Sequence, residues 1–192
     1  MFTATLVGHR YGAKKVLEGI DLAADPGELI GLQGQNGSGK STLLRILCGH
    51  IQPTSGKVDW GPYTRGSLQF RMAVTLVAQR PELDPEMTGR ETLQLFRALY
   101  RTRAEPLSML DDEALDKRVG RYSGGMKRRL HLMVGSLAQP TLLGLDEPAA
   151  GLDKEGAAQL WEWVRRRCKQ SGVTVVVASH RLPECDRVVE LP

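Results

Sequence analysis

Gly34-Gln35-Asn36-Gly37-Ser38-Gly39-Lys40-Ser41-Thr42 is the stretch whose reading decides the rest of the chain. It matches the pattern G-x-x-x-x-G-K-[ST] without a mismatch. Gly34, Gly37 and Gly39 admit backbone angles that a Cβ would forbid, so successive amide N–H groups can turn inward around a phosphate. Lys40 adds a point charge with the reach to meet β- and γ-phosphates, and Ser41 adds a hydroxyl for Mg²⁺. Thr42 to Cys48 reads as a helix, which puts the loop at a positive helix N-terminus. The residues before it, Glu28 to Gln33, read as a short buried strand. Strand, glycine loop and helix together are the context that the motif requires, and they point to a nucleoside triphosphate with Mg²⁺. A glycine turn of no chemical consequence would not need the Lys-Ser pair where it falls. The motif alone does not say what the hydrolysis drives.

Working outward, the chain has 192 residues, 41% hydrophobic and 25% charged, which suits one soluble globular domain with a real core. The net charge of +4 fits phosphate ligands, anionic headgroups or nucleic acid equally and selects none. Cys48, Cys168 and Cys185 are odd in number and lack a C-x-x-C spacing, so reduced cytosolic thiols are expected. No signal-peptide pattern is present at the N-terminus, and no apolar run approaches the 18 or so residues of a span. Any membrane spans are therefore expected from another polypeptide.

Phe2 to Val7 and Val16 to Leu22 read as an antiparallel strand pair joined by Gly8 to Lys15. Asp25-Pro26-Gly27 and Pro53-Thr54-Ser55-Gly56 are turns, Gly49 is a helix C-cap, and Lys57 to Trp60 is a short strand. Arg71 to Ala78 reads as a buried strand ending at Gln79. Pro81 to Pro85 is rich in breakers, and Thr88-Gly89-Arg90-Glu91 is a capping box for a helix carrying Leu93, Phe96, Leu99 and Tyr100. Leu110 to Gly120 reads as helix and loop. The expected organisation is one domain over 1–192, with a core of 1–80 and 121–192 and a small helical insert at about 81–120. Ser123 opens a helix that Pro140 ends, and Thr141 to Leu145 is an apolar strand running into Asp146-Glu147-Pro148. Asp153 caps a helix with Ala157, Leu160, Trp161, Val164 and Cys168 on one face, Trp161 as a core anchor. Lys127-Arg128-Arg129 reads as a solvated basic face that could add positive potential near the ligand, and Arg165-Arg166-Arg167 as an outer face. Val173 to Ala178 is a β-branched strand followed by Ser179-His180, and Arg187 to Leu191 is an edge strand. The alternation after residue 28 predicts an α/β fold, a mostly parallel sheet flanked by helices. The glycine loop, Asp146-Glu147 and His180 each follow a predicted strand, so they can meet at the carboxyl end of one sheet.

Six further features carry a resemblance. Leu142 to Pro148 resembles the second nucleotide motif of such ATPases, and Tyr122-Ser123-Gly124-Gly125-Met126 resembles the signature of ABC-type ATPases. Gln79 stands where that family has its glutamine loop, Ala150-Gly151-Leu152-Asp153 where it has its aspartate loop, and His180 where it has its switch histidine. Tyr11 matches its adenine-stacking aromatic. The stretches occur in the family's order over essentially the whole chain, so the chain is identified as resembling the ATP-binding subunit of an ABC transporter. That implies a P-loop NTPase core with an N-terminal antiparallel β subdomain and a helical insert. It implies ATP held by Tyr11, Gly34, Gln35, Asn36, Gly37, Ser38, Gly39, Lys40, Ser41, Thr42 and Asp146. Ser123, Gly124 and Gly125 of a second copy would hold the γ-phosphate. Mg²⁺ would be held by Ser41, Gln79 and Asp146. Glu147 would act as general base, His180 would contact the γ-phosphate and the water, and Gln79 would report the γ-phosphate to the insert. Met126 in place of glutamine and Tyr122 in place of leucine are similar to drug- and polymer-exporting members, as is Glu91 to Tyr100. The small insert is also similar to the ATPase subunit of a haem-export system, and both subgroups stay open.

The resemblance implies an ATP hydrolase that dimerises around ATP and drives a separate integral membrane permease, with export favoured. It would sit on the cytoplasmic face of the membrane, with no nucleic acid expected as a partner. A soluble ABC-type ATPase of DNA repair or translation is the alternative; such proteins usually carry coiled coils or a second ATPase domain. A GTPase or kinase is disfavoured because Asn36 is the only asparagine, leaving no Asn-Lys-x-Asp guanine reader.

Overall fold

Val175, Val176 and Val177 are fully buried in succession, the pattern of a parallel strand covered on both faces. They form the middle of β7 (Thr174–Ala178), the central strand of a five-stranded sheet. The computed structural model describes residues 2–80 and 82–191; Met1 and Pro192, the ends of the expected domain, and Pro81, the start of the expected insert, lie outside the described residues. β7 pairs with β3 (Leu29–Gln33) on one side and β6 (Leu142–Asp146) on the other. β5 (Val74–Val77) and β8 (Arg187–Glu190) are the two edges, and every pairing in the order β5-β6-β7-β3-β8 is parallel. The register sets Leu32 and Asp146 both opposite Ala178. The segments that follow β3, β6 and β7 therefore leave the sheet at one level, along one edge.

Alternation along β7 divides the core. Val176 joins a cluster with Leu43, Leu44 and Leu47 of α1 (Lys40–Leu47), while Val175 and Val177 join Leu130 and Leu137 of α5 (Gly124–Leu137) and Leu160 and Val164 of α6 (Lys154–Ser171) on the other face. Leu160 is fully buried, and truncating such a leucine to alanine costs about 2–5 kcal/mol. Trp161 is only half-buried at the rim of this cluster, not its anchor, because Leu160 and Val164 hold the inward phase of the helix. Asp153 caps α6 as expected, accepting from the Gly156 amide at 2.9 Å.

The smaller sheet is antiparallel, in the order β2-β1-β4. β1 (Phe2–Tyr11) and β2 (Lys14–Ala24) form a longer hairpin than expected, since Gly8 to Tyr11 and Lys14-Lys15 continue the ladder to Tyr11↔Lys14. β4 (Ser55–Asp59) pairs with the other side of β1. A second difference lies before β5: Arg71 to Ala73 belong to a short helix α2 (Leu68–Ala73), whose cap is the Ser67 hydroxyl accepting from Phe70 N–H at 3.0 Å. Between β5 and α5, α3 (Gly89–Leu99) starts in a complete capping box formed by Thr88 and Glu91. α4 (Asp112–Leu115) and a 3₁₀ turn at Val119–Arg121 follow. The segment's two ends are tied together by Val119 N–H to Met87 O and Gly120 N–H to Pro85 O, each at 2.8 Å. Among the described residues no helix is long and apolar enough to cross a membrane.

Candidate functional site

The glycine loop links β3 to α1. Gly37 and Gly39 have φ of 85° and 95°, in the left-handed region that favours glycine. A Cβ on Gly39 would come 2.7 Å from Leu17 Cδ2, so the β1–β2 hairpin lies directly against the loop. Gln35, Asn36 and Gly37 are exposed at its tip. No side chain caps α1, so the first-turn amides of Lys40, Ser41 and Thr42 have neither an intrahelical nor a capping partner. Lys40 is 8% exposed and folds back over the loop, its Nζ donating to Gly34 O at 2.7 Å and Gln35 O at 2.8 Å. Ser38 Oγ is buried with no partner among the described residues. Uncapped amides, an orphaned hydroxyl and a cation satisfied only by loop carbonyls make a cradle whose polar groups suit an anion.

The carboxylates come from the next strands. Asp146 ends β6 and is 2% exposed; its Oδ1 accepts from Ser41 Oγ at 2.9 Å. Burial pushes its pKa above the usual carboxylate range, and the Ser41 hydrogen bond opposes that rise. Glu147 has φ of 44°, a conformation that costs a non-glycine residue about 1–3 kcal/mol and persists only when its surroundings hold it. They do so here: Glu147 N–H donates to Ala178 O at 2.7 Å, and its carboxylate accepts from Ser179 Oγ and from His180 N–H, both at 3.0 Å. His180 Nε2 lies 3.6 Å from Glu147 Oε1. A carboxylate fixed by two donors beside a half-exposed imidazole is a fitting base for a water molecule.

The remaining expected site residues divide. Tyr11 is 50% exposed at the end of the hairpin that packs on the loop, edge-on to His9 at 4.6 Å. Gln79 is exposed two residues past Val77, which pairs with Leu145, so it stands level with Glu147 one strand away; its side chain makes no hydrogen bond among the described residues. Ser123 caps α5, its hydroxyl accepting from Met126 N–H at 3.2 Å. A Cβ on Gly124 would meet nothing within 4 Å, and one on Gly125 would face Gly151 O at 3.4 Å. The structure thus brings together residues 34–42, Asp146, Glu147 and His180, and leaves Ser123, Gly124 and Gly125 on a separate open surface.

Lys127-Arg128-Arg129 is not a solvated face. Arg128 is 4% exposed and donates to the carbonyls of Ala78, Asp146, Glu147 and Pro148 at 2.7–3.1 Å. The helical phase forces this: Arg128, Leu132 and Gly135 share one face of α5, and a Cβ on Gly135 would collide with Val77. That spacing is legible in the sequence once the three cations are placed separately on the helix rather than as one block. Arg129 pairs with Asp153 at 2.7 Å. Arg167 likewise departs from the expected outer face; it donates to Ala138 O at 2.8 Å and lies over the Trp163 ring. Ser179 was also missed, since nothing in its own residue type distinguishes it from a loop serine.

The family described as ABC transporter matches residues 17–150. The chain is 36% identical over 192 residues to the daunorubicin resistance ATP-binding protein DrrA3 of Streptomyces coeruleorubidus, covering 94% of this chain and 60% of the relative. It is 36% identical over 194 residues to the Nod factor export ATP-binding protein I of Burkholderia pseudomallei (strain K96243), covering 95% and 63%. It therefore spans about 60% of the length of these relatives. Among solved structures, an ATP binding subunit of an ABC transporter superposes with a TM-score of 0.87 at 28% identity, covering 100% of this chain and 85% of that one. The dimeric structure of MJ0796, a bacterial ABC transporter cassette, superposes with a TM-score of 0.89 at 22% identity, covering 100% and 94%.

Proposed function

We propose that this chain, which belongs to the ABC transporter family, is the ATP-hydrolysing part of a membrane exporter. One observation carries the proposal. The uncapped glycine loop, the Ser41–Asp146 pair and the anchored Glu147 lie together at the carboxyl ends of three parallel strands. Lys40 and the loop amides would bind the phosphates of ATP, and Tyr11 would stack on its base from the hairpin. Ser41 and Asp146 offer hard oxygen donors of the kind Mg²⁺ takes, with Gln79 as a further ligand. Mg²⁺ held there would supply positive charge to the phosphoryl oxygens. Glu147 would take the proton of the attacking water, and His180 would contact the γ-phosphate and that water.

Ser123 and Gly124 are exposed, and the Ser123 hydroxyl bonds only the Met126 amide of its own helix among the described residues, which supports a site completed by a second copy. A twofold dimer then makes two equivalent composite sites. The organisation proposed is a single ABC-type ATPase domain over 1–192 with an insert at about 81–120. A groove of about 500 Å³, lined by Ala78, Arg80, Phe96, Tyr100 and His131, lies between the Gln79 segment and α3, and a permease would dock there. The working place would be the cytoplasmic face of the membrane. The relatives' names, drug resistance and Nod factor export, support export and do not favour a repair or translation ATPase. The test is affinity purification of the full protein from detergent-solubilised membranes. Recovery of a polypeptide with several apolar spans, together with ATP hydrolysis, is expected; an ATPase that purifies only with soluble partners would contradict the proposal.

A further inference from the structure

We propose, resting on the assignment of Glu147 as general base, that Arg128 is the positioning residue that locks this base and the root of the Gln79 segment to helix α5, whose N-terminus presents Ser123. Its guanidinium spans two strand ends. Nη2 donates to Asp146 O at 2.9 Å and Glu147 O at 2.8 Å, and Nε to Pro148 O at 3.1 Å. Nη1 donates to Ala78 O at 2.7 Å and reaches Gln79 O at 3.3 Å. The acceptors beyond β6 and β5 are thus joined through one side chain rooted on a third element.

Three physical points favour a working role over simple stability. First, Glu147 sits at φ 44°, and Arg128 holds the carbonyl of that residue as Ala178 holds its amide. The direction of the carboxylate therefore depends on the guanidinium. Second, a buried cation whose hydrogen bonds go to carbonyl oxygens is costly, and apolar replacements of buried charges are often at least as stable. Burial pushes the Arg128 pKa down to about 10, opposed by the charges of Asp146 and Glu147. Third, the contact pattern uses the planar fork of arginine, which lysine, a compact ammonium with three donors, cannot reproduce. Arg128 lies five residues after Ser123 on one rigid helix, so occupation of the Ser123 end by the partner's nucleotide is relayed to the base through this side chain.

The experiment compares wild type, Arg128→Lys, Glu147→Gln and Arg128→Lys/Glu147→Gln as purified full chains, measuring equilibrium ATP binding with a fluorescent nucleotide and steady-state hydrolysis. Wild-type turnover in folded Glu147→Gln would remove the assignment of Glu147 itself, separately from the role of Arg128. With an active wild type, Arg128→Lys should lower kcat by about 10- to 100-fold, the scale of a misplaced catalytic group. Its ATP affinity should stay within about twofold of wild type, a split that general structural damage would not produce. In the Glu147→Gln background the same change should lower kcat no further. A second reading uses Arg128→Ala, where added guanidinium ion should restore part of kcat and ammonium should not. Unchanged kcat in folded Arg128→Lys, an equal loss of affinity and kcat, or no rescue by guanidinium overturns the proposal.

Discussion

Glu147→Gln separates binding from chemistry with the smallest change in shape. The carboxylate of Glu147 accepts from Ser179 Oγ and from the His180 amide, both at 3.0 Å, and its side chain is 17% exposed. A carboxamide has one oxygen for these two donors. Ser179 can rotate its hydroxyl and accept from the new NH₂, whereas the His180 N–H can only donate, so the oxygen should turn toward His180. The cost is one weakened hydrogen bond in a partly wet site, about 1 kcal/mol of stability. Gln meets the φ of 44° no better and no worse than Glu, so the backbone is not further strained. The chemical loss is larger, because an amide cannot take the proton of water. Removing a general base lowers kcat by about 10²–10⁴, or about 3–5 kcal/mol in the barrier. The loop, Lys40 and Ser41 are untouched, so ATP affinity should hold. The assay is paired: steady-state phosphate release, and gel filtration with and without ATP. The expected result is lost turnover with an ATP-dependent shift to a dimer. Wild-type turnover in a folded Glu147→Gln protein would refute the role of this carboxylate.

Two further outcomes follow from the same geometry. Tyr11→Ala should weaken ATP binding by about 1–3 kcal/mol, the scale of base–aromatic stacking, with kcat unchanged at saturation; unchanged affinity by titration calorimetry would leave Tyr11 as a packing partner of His9. His131 is partly buried beside Arg128, and that burial first, then the charge, lowers its pKa from 6.5 to about 4. The unfolded chain therefore takes a proton below pH 6.5 that the folded chain refuses until about pH 4. Stability from this group is complete above 6.5 and falls as pH drops toward 4, by about 3 kcal/mol in all. Urea midpoints measured across that window should lose this slope in His131→Gln; an unchanged slope would assign the acid lability elsewhere.

Local signals made much of this legible. The glycine loop, the Thr88–Glu91 box and the Asp153 cap are short patterns whose shape is set by residues adjacent in sequence, and each stands at the start of a helix in the structure. The run of valines in β7 marked a strand covered on both faces, and the positions following β3, β6 and β7 marked the site edge. The misses depend on tertiary context. Arg71 to Ala73 continue an apolar pattern into β5, and only the Ser67 cap three residues before Phe70 signals that they are helical. Gly8 to Tyr11 read as a loop because Gly8 lies among them, yet the ladder continues through them. Charge alone places Arg128 and Arg167 in solvent, although helix phase turns one into the strand ends and the other onto Trp163. Charge predicts exposure only when no bare carbonyls lie within reach of a long side chain.

The claim most exposed to a single measurement is that each ATP site is shared between two copies. Lys40→Ala removes the cation that the loop carbonyls hold, and Ser123→Arg fills the open surface at the head of α5. Either homodimer carries the defect in both sites. A mixed dimer has one site with both defects and one with neither, the intact site joining Lys40 of the Ser123→Arg chain to Ser123 of the Lys40→Ala chain. Energy transfer between the two labelled variants, both verified as folded, reads the association directly. ATP should raise the transfer on mixing while leaving each variant alone at its baseline. Mixing that produces no ATP-dependent transfer would contradict a site shared between chains.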